Sequence, residues 1–283
     1  MHELIRKSMS DIEISGLSNV TQKRYINIIT NYLKFVDSNG NEIGIESVKN
    51  YLKYLKNEKN RCSGTINDHR SAIKYLYEAI LDLGWNDRRI PRLKDYKPIP
   101  VVLSKDEVLR ILKATNNLLL KAIFTTMYSS GLKISEVINI RTGDIDSENM
   151  QIYIRRPKSG KARYAILSEK NLKLLRKYFK KYWKKRYGKW EKEDYLFCSY
   201  KKDNPITSKT IRKELKKAAK AAGIKKEPTP HTFRHSFAVH LLESGSSLLL
   251  IKELLGHKSI VSTCIYLQLV NIKLLGGKSP LDI

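Results

Sequence analysis

Residues Pro228 to Leu267 confine the chain to a particular local fold: PTPHTFRHSFAVHLLESGSSLLLIKELLGHKSIVSTCIYL. The stretch reads as three helices with their ends marked. Thr229 is an N-cap and Pro230 fits the first helical position. Gly245 closes the first helix and Gly256 the second, as glycine does just past a helix C-terminus. Ser259 or Ser262 starts the third, which carries Tyr266.

On a helical wheel of the first of these, Phe233, Phe237, Ala238, Leu241 and Leu242 fill one arc, with His231 and Arg234 inside it. His235, Ser236, His240 and Glu243 fall outside. A guanidinium facing inward is costly unless an anion meets it. Two partners fit at this point. One is a buried carboxylate. The other is a bound phosphate, whose oxygens match the guanidinium fork and the free N–H groups of a helix start.

Charge bears on that choice. The 283 residues hold 54 Lys+Arg against 28 Asp+Glu, a net charge of +26. Such an excess points to a polyanionic partner, nucleic acid before an acidic membrane surface. No apolar run reaches the length of a membrane span, and MHELIRKSMSDIEI lacks the apolar core of a signal peptide. Cys62, Cys198 and Cys264 are far apart, as expected of thiols in a reducing compartment and not of a disulfide frame or zinc knuckle. A cytoplasmic location is therefore expected.

The chain reads as mainly α with a small β-sheet. Residues 1–87 form an expected helical DNA-binding domain. Tyr25, Ile28, Ile29, Tyr32, Leu33 and Val36 recur at helical spacing, DSNG breaks the run at 37–40, and two further helices follow. Lys23, Arg24, Arg70 and Lys74 are among the cations expected on the outer faces. A solvated helix face explains any one of them; together they suit a module resting on phosphates. Residues 88–102 read as a basic, proline-rich linker that includes Arg92.

Residues 103–283 make a second, mixed domain. Ser104 and Glu107 form a capping box. Leu118 to Tyr128 is apolar enough for a core helix. Lys133 and Glu136 share the face of a later helix. Gln151–Arg155 and Tyr164–Leu167 read as strands, and the turn between them holds Lys158 and Lys161. A long basic, aromatic helix is expected over 170–192. Another, over 208–222, carries Lys209, Arg212 and Lys213 in a form suited to a major groove.

The order GLKISEVINI, strand–turn–strand with Lys158, HTFRH, then LLGHKSIVSTCIY resembles the tyrosine recombinases, the phage-integrase family and especially its Xer type. The specific part is HxxR with LLGH downstream and a tyrosine nine residues after that histidine. The resemblance implies an N-terminal core-binding (SAM-like) domain and an α/β-mixed catalytic domain. It implies a site-specific recombinase of double-stranded DNA, serving chromosome partition or DNA integration, that needs no metal or other cofactor.

Carried over by motif, Tyr266 attacks a phosphodiester and leaves a 3′-phosphotyrosyl bond, with His231 taking its proton. Arg234 and His257 bind the phosphate, Lys158 protonates the leaving 5′ oxygen, and Glu136 buttresses His231 or the phosphate-binding cation. Arg155 and Lys161 join the DNA-binding set. The family's first catalytic arginine falls at Lys133, which keeps the charge and loses the bidentate fork. Reduced activity is one expectation; a non-cleaving DNA-binding protein or a type IB topoisomerase-like enzyme are the alternatives. A zinc hydrolase is disfavoured, because Thr232 replaces the glutamate of a helical HExxH. The resemblance further implies a monomer or weak dimer in free form and a tetramer on synapsed DNA, with Leu267 to Leu275 docking on a neighbour.

Overall fold

The computed structural model describes residues 2–95, 99–155, 162–199, 201, 203–270 and 281. The chain divides into two compact units, Met1–Pro98 and Ile99–Ile283.

The first unit is helical: α1 (His2–Glu13), α2 (Asn19–Ser38), α3 (Ile45–Asn57) and α4 (Ser63–Tyr75), the last extended by a π turn over Leu76–Ile80. Helix α2 begins where the Ser18 hydroxyl accepts from Thr21 N–H. The expected stripe Ile28, Ile29, Tyr32, Leu33 and Val36 is buried, against Val48, Tyr51 and Leu55 of α3 and Ile66 and Ile73 of α4. Buried hydroxyls find partners: Tyr32 Oη lies 2.9 Å from Ser47 Oγ and 2.8 Å from Tyr77 Oη.

Part of the stretch expected to be a spacer is bound to this unit. Ile90 is buried, and the Asn67 side chain clips Leu93 at both its N–H and its carbonyl, each at 2.9 Å. Arg70, expected on an outer face, is a correction. Its guanidinium is buried, donates to Ile90 O at 2.7 Å, pairs with Asp87 and lies over the Trp85 ring. The wheel position of Arg70 faces solvent only until residues 85–90 fold back over it.

The second unit contains α5 (Lys105–Ala114), α6 (Leu118–Ser129), α7 (Ile134–Val137), strands β1 (Ile145–Asp146), β2 (Gln151–Ile154) and β3 (Arg163–Ile166), α8 (Glu169–Tyr178), α9 (Lys184–Tyr187), α10 (Ser208–Ala221), α11 (Pro230–Glu243), α12 (Leu248–Leu255) and α13 (Val261–Cys264). The sheet is antiparallel in the order β1-β2-β3, with Ile152 opposite Ala165 and Ile154 opposite Arg163. The Ser104–Glu107 capping box closes in both directions, at 3.1 and 2.7 Å. The helix expected over 170–192 is shorter: a π turn at Phe179–Trp183 joins α8 to α9, and the chain leaves at Gly188 with φ +77°.

Helix α11 lies inside the unit, so it has no single apolar arc. Thr232, Phe233, Arg234, Ser236, Phe237, Ala238, Val239 and Leu242 are all buried. The wheel therefore misplaces Ser236 and His231, among others. Ser236 is buried, accepting from Leu103 N–H at 2.9 Å and donating to Thr232 O at 2.8 Å. His231, set in the apolar arc, is exposed in the first turn. Among the described residues, no helix is long and apolar enough to cross a membrane.

Candidate active site

Four chain segments meet around Arg234. The first is the turn after α6. Gly131 adopts φ +62°, directing its carbonyl to the Arg234 guanidinium: Nη1 donates to it at 2.9 Å. Lys133 caps α7, and the Glu136 carboxylate reaches back to accept the Lys133 N–H at 2.8 Å. The second segment is α11 itself. The third is the end of α12, where Leu255 O accepts from Arg234 Nη2 at 2.5 Å. Gly256, at φ +64°, then turns the chain so that His257 enters the site. The fourth is the single helical turn Ile265–Gln268, which carries Tyr266.

The partner of Arg234 is only partly a carboxylate. Glu136 Oε2 stands 3.7 Å from Nη1, too far for a hydrogen bond. Both Glu136 oxygens instead accept from Arg163, at 2.8 and 3.0 Å. Burial alone would raise the Glu136 pKa; the bonds from Arg163 reverse this and hold it below the usual carboxylate range. Two of the five guanidinium N–H groups of Arg234 go to the carbonyls of Gly131 and Leu255. Among the described residues the other three have no hydrogen-bond acceptor, leaving donors for an incoming anion.

Tyr266 Oη lies 3.1 Å from His235 Nδ1, and its ring neighbours the imidazoles of His235 and His257, with centroids 5.7 and 6.4 Å away. Tyr266 is 2 % exposed and packs with Phe237, Leu242, Ile251 and Leu255. That burial raises its pKa, with the Arg234 charge opposing. His257 is oriented from outside: its Nδ1 lies 2.8 Å from Thr263 Oγ1.

The pKa values of three imidazoles are lowered. Burial, then His231 and Arg234, pulls His235 down to about 4. Burial, then Arg234, Lys133 and Arg163, takes His257 to about 4. Partial burial and the cations Arg234, Lys133 and Arg212 lower His231. The Lys133 ammonium is half-buried and has no described carboxylate within ion-pair distance; burial and the Arg234 charge lower its pKa. A pocket with three cations, one paired carboxylate and neutral imidazoles can bind a singly charged phosphodiester and pass protons.

Of the residues singled out by sequence, Tyr266, Arg234, His257, Lys133, Glu136 and His231 lie about this pocket. Lys158 and Lys161 lie outside the described residues, as do residues 271–275 of the expected docking segment. Lys23, Arg92, Lys209, Arg212 and Lys213 are exposed. Arg24 pairs with Asp68, Lys74 with Asp87, and Arg155 with Asp144 and Glu193.

Two residues escaped the sequence reading. His235 was set outside the inward arc, an error of the single-face assumption. Arg163 had a usable signal. It alternates with Ala165 and Leu167, both buried, so strand geometry places an arginine on the inward face.

Comparisons with known proteins identify the family of the chain. The Phage integrase family matches residues 101–271, and the family described as Phage integrase, N-terminal SAM-like domain matches 4–87. A putative integrase/recombinase, y4qK, of Sinorhizobium fredii is 32% identical over 99% of this chain and 89% of its own. Tyrosine recombinase XerD of Oceanobacillus iheyensis is 32% identical, covering 92% of this chain and 91% of its own. A crystal structure of XerA recombinase superposes with a TM-score of 0.56 at 27% identity, covering 97% and 96% of the two chains.

Proposed function

This chain belongs to the phage integrase family and is a site-specific recombinase of the tyrosine type, and from that premise we propose that it cuts and rejoins double-stranded DNA through a 3′-phosphotyrosyl bond to Tyr266. The observation that carries this reading is the placement of Tyr266 Oη at 3.1 Å from a neutral imidazole, beside a buried arginine with uncommitted donors.

In the cleavage step the Tyr266 Oη–phosphorus bond forms and the bond from phosphorus to the 5′ oxygen breaks. The tyrosyl proton passes to His235 Nδ1. A phenol with an ordinary pKa near 10 needs such an acceptor to be nucleophilic at neutral pH. The pentavalent phosphate gains negative charge, which Arg234, Lys133 and His257 offset. Lys158, on the β2–β3 connection, supplies the proton to the leaving 5′ oxygen. The phosphotyrosyl link keeps the energy of the broken bond, so religation to another 5′ end needs no nucleotide.

His231, in the exposed first turn of α11, stands on the side of Arg212 and meets the phosphate from there. The exposed cations Lys209, Arg212 and Lys213 of α10, with Lys23 and Arg92 of the first unit, contact the DNA backbone. Strand exchange joins two sites, so the working assembly is a tetramer on synapsed DNA formed from a monomer or weak dimer. The cytoplasm, where the DNA lies, is the expected location.

The test is covalent trapping. The target site is first selected from random duplexes by binding, then built with a nick that lets the freed 5′ fragment diffuse away. An SDS-stable adduct with the native chain, absent with Tyr266→Phe, is the expected result. Tight site binding with no adduct in the native chain would replace this reading with that of a non-cleaving DNA-binding protein.

A further inference from the structure

Arg163 is held from three directions. Its Nη1 and Nη2 donate to the two oxygens of Glu136 at 2.8 and 3.0 Å. Its Nε donates to Leu254 O at 3.0 Å. Its side chain lies along Gly256, where a Cβ would come within 3.0 Å of Arg163 Cδ and Nε. The side chain is 12% exposed and that of Glu136 is 4%. One guanidinium thus ties β3 to α7 and to the last turn of α12. Each tie adjoins the pocket: Lys158 precedes Arg163 by five residues, Lys133 caps α7, and His257 follows Gly256.

Charge makes the position more than a brace. A buried carboxylate must be paired. The other guanidinium near Glu136 is Arg234, at 3.7 Å. A small rotation would turn that separation into a full ion pair, and Arg234 would then offer its charge to Glu136 instead of to a phosphate.

We propose that Arg163 is a positioning residue for strand cleavage: by occupying both oxygens of Glu136 it keeps the Arg234 guanidinium available to the DNA phosphate. This rests on the cleavage reading given above. Arg163 touches neither the nucleophile nor the phosphate; it acts through Glu136.

The experiment is single-turnover cleavage of the nicked site by the full-length chain at saturating protein, with site affinity measured separately. The variants are Arg163→Met, Arg163→Lys, Glu136→Gln and the two doubles with Glu136→Gln. Arg163→Met should slow cleavage by roughly a hundredfold with site affinity little changed. Arg163→Lys, keeping charge without the fork, should fall between. Adding Glu136→Gln to Arg163→Met should recover much of the loss, since a neutral amide no longer competes for Arg234. A merely structural role predicts no such rescue.

Cleavage by Arg163→Met at the native rate, or a double variant no faster than the single, would overturn the proposal. If Arg163→Met melts below the assay temperature, the Lys series decides by the same comparison. A native chain that binds the site and forms no adduct overturns the cleavage reading itself, an outcome distinct from a native chain that cuts alongside an Arg163→Met that cuts equally well.

Discussion

Tyr266 Oη meets His235 Nδ1 at 3.1 Å, while His231, one turn nearer the start of α11, is exposed. The histidine that the motif nominates as proton acceptor is therefore not the one in contact with the nucleophile. His235→Gln should slow formation of the Tyr266 adduct by about a hundredfold, within the usual range for losing a positioned acid or base. His231→Gln should cost less. Trapping kinetics on the nicked site would rank the two, and the reverse order would return the acceptor role to His231.

Lys133 stands among Arg234, Arg163 and Glu136, and burial with the neighbouring cations lowers its pKa. The sign follows directly. A base with a lowered pKa loses its proton at lower pH, so Lys133 gives up its charge as pH rises, before an ordinary lysine would. Cleavage by the native chain should decline on the alkaline side, where Tyr266 itself would gain from deprotonation. Lys133→Arg should remove that decline and raise the neutral-pH rate by about tenfold, through a permanent charge and bidentate geometry. A pH–rate profile of both proteins checks this; identical alkaline limbs would mean that Lys133 does not contact the reacting phosphate.

How much could be read from the sequence divides along a physical line. Local signals succeeded: the Ser104–Glu107 box closed, Gly256 turned at positive φ, and the stripe of α2 was buried where spacing put it. These depend on neighbours within a turn or two. The wheel of α11 failed because burial on every side is a tertiary property, invisible to a one-face projection; hence Ser236 and His231 exchanged places. Arg70 failed for the same reason, since its cover comes from residues 85–90. That Glu136 bonds to Arg163 rather than to Arg234 was not legible either, because Arg163 lies 71 positions earlier in the chain than Arg234.

Two half-buried neutral imidazoles make folding sensitive to acid. His235 and His257 ordinarily titrate near 6.5 and are depressed to about 4. Between those values the unfolded chain binds protons that the folded chain refuses, so stability falls as pH drops through that window and levels off below it. Thermal melts of the DNA-free protein from pH 7.5 down to 4 should show this descent, and His235→Gln should make it shallower. A melting temperature flat across the window would mean that these rings are solvated in solution.

The Arg234 carbonyl ligands predict one sharp backbone requirement. Gly131 sits at φ +62°, and a Cβ there would lie 2.3 Å from Phe237 Cδ1 on α11. The same residue's carbonyl accepts from Arg234 Nη1. Gly131→Ala therefore meets both backbone strain and overpacking, together roughly 3 kcal/mol or more, and relief by shifting the turn would pull the carbonyl from Arg234. Gly40 is the control. It has φ +61° but nothing within 4 Å, so Gly40→Ala carries the backbone term alone, about 1 kcal/mol. Denaturant melts should separate the two variants by their difference, and cleavage should fall only in Gly131→Ala. Equal stability losses would show that Phe237 yields freely, and that the turn after α6 does not hold Arg234 in register.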